Sequence, residues 1–437
     1  MGLFGFKKKG EKVDFEINDN DKFWIDDTFN WLVGSFGLPS KSMELITFTD
    51  KFFPNSHKNS ELNVGSIIKD LSNILELNST EITFEIQKDI RDLKNVPHEM
   101  EGFPLDSETE KISNGYKIHI ANSLPPKRLL SRLVYELVLI KLYEEELRFE
   151  AGDDNDCLFV YLAAVYLGFG IILSQNLFDT GYSTDGLWET KWNYSSEIPQ
   201  EMLAYCFAIY LNVFGHKVLP LKDKLPSDFY NLLEKALEYV ESYPSEMFSE
   251  TELKANDLYF QAVQLIKKHE YESAVLKLNE IISITENDKA VSFISYVFER
   301  LGYVKIREGK FAESIQLFQK ALELDSNNFI ARDNIAYALI KMGEVKEGKK
   351  HIDKSISLAV KDMAAIYRNL ALYFWAKGNI EEAEENFSLS FEAIVVPIFL
   401  LEYDYSKFLL VKGEREKSNE YLRLSIEKGE PESTKNE

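Results

Sequence analysis

Turn-forming, small and large apolar residues recur with one period in the C-terminal part of the chain. Glycines mark the period at intervals of 34, 35 and 35 residues: Gly309, Gly343, Gly378 and Gly413. Nine residues after each glycine stands a large apolar residue: Phe318, Ile352, Phe387 and Leu422. A period near 34 with alternating small and large positions is typical of stacked helix–turn–helix units. Such units bury their apolar faces against their neighbours, so the pattern predicts an α-solenoid with a concave binding surface.

The segment LGYVKIREGKFAESIQLFQKALELDSNN, residues 301–328, resembles a tetratricopeptide (TPR) repeat. Leu301 and Gly302 occupy the Leu-Gly pair of that family, and Ala321 occupies the small position of its second helix. Lys305 departs from the pattern, because an aromatic residue is usual there. The resemblance implies about five units, with a polar last unit as a cap and with His269 at the turn position of the first.

The part of the chain before the repeats combines apolar helices with two short alternating segments. The alternation predicts strands at Glu81–Gln87 and Tyr116–Ala121, with a polar loop at Asp89–Asn114 between them. The apolar periodicity predicts helices at Phe23–Leu38, Leu62–Leu77, Lys127–Arg148, Cys157–Leu177 and Pro199–Phe214. After Pro126 the pattern predicts helices for the rest of the chain.

These patterns predict a mainly α fold class, with an α+β N-terminal domain followed by a TPR α-solenoid. The predicted boundaries are 1–20 for a flexible lead, 21–218 for the N-terminal domain, 219–252 for a helical linker, 253–429 for the repeats and 430–437 for a tail.

The order of elements in the N-terminal domain resembles a bacterial zincin-like metallopeptidase domain. The strand YKIHIA, the connection NSLPP, the helix KRLLSRLVYELVLIKL and a later helix ending LGFGIILSQN carry the resemblance. In that family the first helix holds HExxH, whose histidines bind zinc and whose glutamate is the general base. Here Tyr135 and Leu139 stand at the histidine positions and only Glu136 is kept. The resemblance therefore implies a pseudo-peptidase with a degenerate motif, no catalytic residues, no metal and no cofactor.

The remaining acidic residue of that motif has a structural interpretation as well as a catalytic one. Glu136 lies among apolar residues, and an ion pair with Arg132 or Lys141 near the helix surface would account for it. The alternative is a metal-dependent hydrolase or peptidase with an unrecognised site. A metal held near Glu136 and His119 would favour that alternative.

Composition excludes some classes of function. The net charge of −22 argues against nucleic-acid binding, which needs a basic surface. Cys157 and Cys206 form no paired motif, which indicates free thiols in a reducing, cytoplasmic compartment. Neither a phosphate-binding glycine loop nor a GxSxG elbow occurs. The uncharged run from Cys157 to Ser174 is long enough to approach a membrane span, but acidic residues precede it, and we expect a buried core helix.

The first helix of each TPR unit lines the groove in that family, and this register gives candidate partner-binding residues. They are Tyr296, Tyr303, Arg307, Asp333, Tyr337, Lys341, Arg368 and Trp375. Aromatic residues and arginines are typical anchors of interfaces. We therefore hypothesise that the groove binds an extended or helical segment that carries acidic residues. The alternative is that the tyrosines pack between helices and the lysines are solvated.

The sequence as a whole predicts a non-catalytic interaction protein that binds a protein or peptide partner in the TPR groove. Two roles that fit such a protein are an adaptor and a toxin-neutralising (immunity) protein. The second role is inferred from the acidic net charge. A membrane-associated scaffold is a third, weaker interpretation. The sequence leaves the oligomeric state open.

Overall fold

The computed structural model describes residues 15–38, 44–58, 63–87, 106–122, 124–145, 147, 154–184, 189–195, 197–287, 293–358, 363–394 and 398–429. The chain forms two compact units that divide between Phe248 and Ser249, inside the segment predicted as a linker. The predicted lead and the predicted tail lie largely outside the described residues. Helices dominate both units, as the periodicity predicts.

The first unit is built around apolar helices. They are α1 Asp19–Phe36, α2 Val64–Leu75, α3 Pro126–Glu144, α4 Asp154–Ala164, α5 Gly170–Ser174, α6 Gln200–Phe214 and α7 Ser227–Ser242. The Asn18 side chain accepts a hydrogen bond from the Asp21 amide and so begins α1. Helix α6 is buried along nearly its whole length and ends at Gly215, which has a φ of 71°. Helix α7 packs against α6, so the helix of the predicted linker belongs to this unit.

A three-stranded sheet contains β1 Ile82–Gln87, β2 Ser107–Ile112 and β3 Gly115–Ala121 in the order β1-β3-β2. Strand β3 pairs in parallel with β1 and antiparallel with β2. The two predicted strands are thereby confirmed. The loop predicted at Asp89–Asn114 is wrong where β2 forms, and residues 88–105 lie outside the described residues. Strand β2 lacks apolar alternation because Ser107, a hydroxyl residue, occupies its most buried position.

The prediction of helix throughout the region after Pro126 is also wrong. Strands β4 Phe178–Thr184 and β5 Glu189–Ser195 form an antiparallel pair there. Their sequences FDTGYST and ETKWNYS mix aromatic and threonine residues, which favour strands, with a glycine that weakens a helix.

The long apolar run forms two helices instead of one. A π-helical turn over Val165–Phe169 joins α4 to α5, and Gly168 within it has a φ of 93°. Gly170 packs so closely on α6 that an added Cβ would lie 2.9 Å from the Phe207 ring. In the part of the chain that the structure describes, Cys157–Ser174 is the one helical run whose length and composition would allow a membrane span, and 78% of it is buried within the protein. The run is therefore a weak candidate for a span and packs as a core helix.

The second unit is a row of helix pairs. They are α8 Glu250–Lys267 with α9 Tyr271–Asn287, α10 Ile294–Arg307 with α11 Phe311–Leu324, α12 Phe329–Lys341 with α13 Val345–Leu358, α14 Ala364–Ala376 with α15 Ile380–Glu392, and α16 Leu401–Lys412 with α17 Arg415–Glu427. Gly309 and Gly343 turn the chain within their pairs with φ values of 72° and 84°. His269 takes the same left-handed conformation, with a φ of 61°, at the turn of the first pair.

The periodic apolar residues form the core of this second unit. Phe318, Ile352 and Phe387 are fully buried, and each belongs to the second helix of its pair. Gly302 lies against the ring of Phe318, where an added Cβ would approach to 2.7 Å. The alternation of small and large positions read in the sequence is thus a packing requirement between the two helices of a unit.

Candidate functional site

The first helices of the repeats form one continuous face of the second unit, which we call the inner face. Helix α12 contacts α14, and weaker contacts join α10 to α12 and α14 to α16. Side chains also meet across non-adjacent repeats, since Lys341 Nζ on α12 lies 2.8 Å from Asp404 Oδ1 on α16. A face whose first and third members touch across the second curves inward, as a binding groove does.

Buried polar groups hold the centre of the inner face. Asn369 Nδ2 donates to Asp333 Oδ1 at 2.7 Å and to its backbone oxygen at 2.9 Å, which ties α14 to α12. Arg368 is fully buried, and its Nε donates to Asn369 Oδ1 at 3.1 Å. The carboxylate of Asp333 lies 3.8 Å from Arg368 Nη2, so the arginine charge is balanced within the fold.

Three of the predicted binding residues meet around a side chain that was not predicted. Phe399 belongs to the connection between α15 and α16, and its ring centroid lies 5.0 Å from that of Tyr303 and 5.5 Å from that of Tyr337. The guanidinium carbon of Arg368 lies 4.7 Å from the Phe399 ring centroid and 4.4 Å from that of Tyr337. Arg368 Nη1 also donates to the Phe399 backbone oxygen at 2.8 Å. We call Tyr303, Tyr337 and Arg368 the aromatic pocket.

A second contact on the inner face involves Lys341. Its ammonium group pairs with Asp404 and lies 5.6 Å from the Tyr337 ring centroid and 5.9 Å from that of Tyr403. The Asp404 side chain is almost fully buried, whereas that of Lys341 is 28% exposed. Lys341 is therefore neither free nor fully solvated, because it neutralises a carboxylate of its own chain.

The end of the last repeat returns to the first two. Arg307 Nη2 at the end of α10 donates to the Gly429 backbone oxygen at 3.1 Å. Gly429 also lies against His269, at the turn between α8 and α9. Lys428 forms an ion pair with Glu402. A cation at the end of a helix stabilises its free carbonyl groups, so Arg307 fixes the end of α17 on the inner face.

The other predicted residues lie beside the pocket. Tyr296 is on α10 two turns before Tyr303 and is 48% exposed, so a partner has access to it. Trp375 packs edge-on against Phe408, with ring centroids 5.7 Å apart. Tyr337 is fully buried, so the alternative in which tyrosines pack between helices holds for this residue. The acidic nature of the partner stays a prediction.

Several buried polar atoms on the inner face have unused hydrogen-bonding capacity within the described residues. They are Arg307 Nε, Arg368 Nη2, Glu402 Oε2 and Asp404 Oδ2. Buried polar groups in folded proteins are almost always hydrogen-bonded. These four atoms are themselves buried, so they belong to the interior of the inner face and not to the surface that a partner would contact.

Sequence reasoning missed Phe399 because the register considered only the first helices. A signal was present in the length of the connections. Eight residues (393–400) separate α15 from α16, whereas four (325–328) separate α11 from α12. That longer connection is rich in apolar residues, and Ile398 and Leu400 are buried. An apolar connection between repeats buries its side chains against a neighbouring surface, and the inner face is the surface beside this connection.

The N-terminal unit contains a second cluster, around the acidic residue of the degenerate motif. Glu136 is 1% exposed. It accepts hydrogen bonds from Ser107 Oγ at 2.6 Å, Thr109 Oγ1 at 2.7 Å and Arg132 Nη2 at 3.0 Å. Arg132 Nη1 also lies 3.0 Å from a carboxylate oxygen of Glu197. The predicted pairing of Glu136 with Arg132 is confirmed, but the pair lies in the core and not near the helix surface, because β2 covers it.

Two residues of the cluster, Tyr135 and Arg132, have shifted pKa values. Burial and then a hydrogen bond with Cys157 raise the pKa of Tyr135. Burial alone would lower the pKa of Arg132, but Tyr161 and the two carboxylates beside it raise it overall. Both shifts keep Arg132 charged and Tyr135 neutral near pH 7.

The positions of the degenerate motif are filled by core side chains. Tyr135 and Leu139 are 8% and 7% exposed. The Tyr135 ring centroid lies 5.1 Å from that of Tyr161 on α4. Within the described residues, three or more His, Cys, Asp or Glu side chains are nowhere arranged to hold a metal ion.

Glu136 and His119, the two residues near which a metal would favour the enzyme alternative, lie on opposite faces of the three-stranded sheet. In the ladder between β2 and β3, Ser107 pairs with Ile120 and Thr109 with Ile118, so these residues share the sheet face that meets Glu136. His119 points to the opposite face. There it lies 3.1 Å from Glu110 and 2.7 Å from Gln87. The two residues therefore lack a common metal position.

Comparisons with known proteins agree with the repeat architecture. A tetratricopeptide repeat model matches residues 296–328. Over 171 residues the chain is 29% identical to the regulatory protein RapD of Bacillus subtilis (strain 168). The matched segment covers 36% of this chain and 48% of RapD. The match thus spans about half the length of that relative.

Solved structures of repeat proteins are also similar. The apo form of RapI matches 68% of this chain and 97% of its own, with 15% identity and a TM-score of 0.36. YrrB, described as a TPR protein with an unusual peptide-binding site, matches 44% of this chain and 84% of its own, with 20% identity and a TM-score of 0.27. The chain contains a tetratricopeptide repeat, and its second unit is a TPR-like helical solenoid.

Proposed function

We propose that this chain is a non-catalytic interaction protein whose repeats bind a peptide or an extended protein segment along the inner face. The observation that carries the proposal is Phe399. The aromatic pocket holds this side chain between two tyrosine rings and bonds its backbone oxygen through Arg368 at 2.8 Å. An aromatic anchor with a bonded backbone group is the contact that a bound peptide would make.

Two further observations support this function. An exposed aromatic residue, Tyr296, extends the face beyond the pocket. The similarity to RapD, a protein described as regulatory, favours a role in which binding controls a partner. We also propose the roles of adaptor and of toxin-neutralising protein, and a cytoplasmic location.

For the N-terminal unit we propose a pseudo-peptidase or docking role without chemistry. A general base needs a carboxylate oxygen that reaches a water molecule or a substrate. Both oxygens of Glu136 accept hydrogen bonds from Ser107, Thr109 and Arg132 in the core. Elemental mass spectrometry after exposure to zinc and desalting tests this proposal. We expect no stoichiometric metal, and one tightly held zinc ion per chain would overturn it.

The binding proposal is tested by selecting random 12-residue peptides on the full-length chain and measuring their affinity by fluorescence anisotropy. We expect the variant Tyr296→Ser, on the inner face, to weaken selected peptides at least tenfold. The matched control is Leu276→Ser, which removes an exposed apolar side chain (71% exposed) from the second helix of the first repeat. The proposal is wrong if no peptide is selected, or if both variants bind the peptides as the wild type does.

A further inference from the structure

We infer that the segment Ile398–Leu400 is an internal ligand of the repeats, and that their external partner is a peptide with an aromatic residue that displaces Phe399. The inference rests on the proposed function, since it names the chemistry and the regulation of the same site. It rests on the contacts of the aromatic pocket, on the conformation of the segment and on the charge balance of the inner face.

The contacts of Phe399 define the chemistry of the ligand. Its ring lies edge-on to Tyr303 and Tyr337, at interplanar angles of 89° and 74°. The Arg368 guanidinium lies over the same ring and donates to the backbone oxygen of the same residue. Ring and carbonyl together are features of one aromatic amino acid in a peptide. A phenylalanine or tyrosine of a partner reproduces both contacts, whereas an aliphatic residue loses the cation–π and edge-to-face contacts.

The backbone beside Phe399 favours release. Leu400 has a φ of 58° and a ψ of 11°, the left-handed region, at the first position before α16. A bulky side chain is rarely found there, and the conformation is strained. The contacts of Phe399 and the burial of Ile398 and Leu400 hold the connection in this conformation. A ligand that supplies the same aromatic contacts allows the connection to relax. The free energy needed to displace Phe399 is therefore smaller than its contacts alone suggest.

Charge on the inner face favours an aromatic anchor over an acidic one. Lys341 is paired with Asp404, and Arg368 lies within 3.8 Å of the Asp333 carboxylate. An acidic side chain would have to compete with these carboxylates, which are buried and fixed. An aromatic side chain replaces only Phe399 and leaves both ion pairs intact. The acidic hypothesis drawn from the sequence therefore gives way, at this pocket, to recognition of an aromatic residue.

An internal ligand lowers the apparent affinity for an external one. If the pocket is open in about 1 to 10% of molecules, the apparent dissociation constant is about 10 to 100 times the intrinsic one. Removal of the Phe399 ring should abolish this competition without touching the three residues of the pocket. The variant Phe399→Ser is therefore expected to bind an aromatic peptide more tightly than the wild type, which is the reverse of an ordinary loss of contact.

The test uses the full-length chain and a synthetic labelled peptide IFLLEYD, which reproduces residues 398–404. Its matched control is the peptide ISLLEYD. We expect Phe399→Ser to bind the phenylalanine peptide at least tenfold more tightly than the wild type does, and to bind the serine peptide no more tightly than the wild type. Circular dichroism checks that the variant retains its helices.

A second measurement requires no variant. Saturating the wild type with a peptide selected on its inner face should raise hydrogen–deuterium exchange in residues 398–400, because the segment leaves the pocket. Peptides that bind the inner face without raising this exchange, or that bind Phe399→Ser and wild type equally, overturn the inference and leave the proposed function intact. Absence of binding by any peptide to either protein overturns both.

Discussion

Replacing Glu136 by alanine should strongly destabilise the N-terminal unit. The carboxylate is 1% exposed and accepts from Ser107, Thr109 and Arg132. Its removal leaves two hydroxyl groups and part of a buried guanidinium without their acceptor. Removing one partner of a buried ion pair costs about 3 to 5 kcal/mol, because the other charge stays buried. The retained contact of Arg132 with Glu197 at 3.0 Å favours the lower part of that range.

The loss in free energy of unfolding predicts a measurable shift of the urea unfolding midpoint. A loss of about 3 to 5 kcal/mol lowers the folding equilibrium constant by a factor of roughly 100 to 4,000. With a urea dependence of about 3 kcal/mol per M, the unfolding midpoint falls by about 1 to 1.7 M. Four of the five tryptophans lie in residues 1–248. Tryptophan fluorescence in a Trp375→Phe background therefore reports unfolding of the first unit alone.

The control for this experiment is Glu241→Ala, which removes an exposed carboxylate from α7. Exposed substitutions usually change stability by less than about 0.5 kcal/mol. The variant Glu136→Gln keeps the shape and one acceptor oxygen, and we expect it to lose about 1.5 to 3 kcal/mol, the contribution of hydrogen bonds to a charged group. A urea unfolding midpoint of Glu136→Ala within about 0.3 M of the Glu241→Ala midpoint would refute the structural role of Glu136, because that difference is on the order of what the titration resolves.

Three further predictions concern packing, protonation and thiol reactivity. Gly302→Ala should destabilise the second unit by about 1 to 3 kcal/mol, because the new Cβ would lie 2.7 Å from Phe318; Gly309→Asn, in open space at a φ that asparagine tolerates, should cost less than about 1 kcal/mol in the same urea titration. Burial depresses the pKa of His351, so the unfolded chain binds more protons than the folded chain, and the free energy of unfolding should fall from pH 7 to pH 5. The variant His351→Gln should flatten this dependence of the free energy of unfolding on pH, by at most about 1.4 kcal/mol per pH unit. An unchanged dependence on pH in this variant would contradict the assignment to His351. Burial raises the pKa of the Cys206 thiol and removes it from solvent, so iodoacetamide at pH 8 should leave it unmodified in the folded protein, as mass spectrometry of its peptide would show.

The repeat unit could be predicted from sequence because its constraints are local and periodic. Gly309 recurs where the chain needs a left-handed turn, and its φ is 72°. Phe318 and Ala321 recur where the two helices of a unit face each other, and both are fully buried. Each constraint acts within about 20 residues of chain, so the pattern is visible in the sequence without any knowledge of distant contacts.

The contacts that define the candidate site could not be read in the same way. Strand β2 was missed because its buried positions hold Ser107 and Thr109, which serve the carboxylate of Glu136 from a distant helix. Arg368 was identified from its register, but its ligand Phe399 is 31 residues away and belongs to a connection. Long-range pairing of this kind depends on how the repeats curve, and curvature arises from the packing of all units together.

The net charge of −22 and the inner face would act on a partner in different ways. On the inner face, Lys341 and Asp404 neutralise each other at 2.8 Å. The net charge acts on basic partners at long range, and its effect weakens as salt screens it. Toxin neutralisation, which relies on that charge, and peptide recognition, which relies on the aromatic pocket, are consequently not competing explanations.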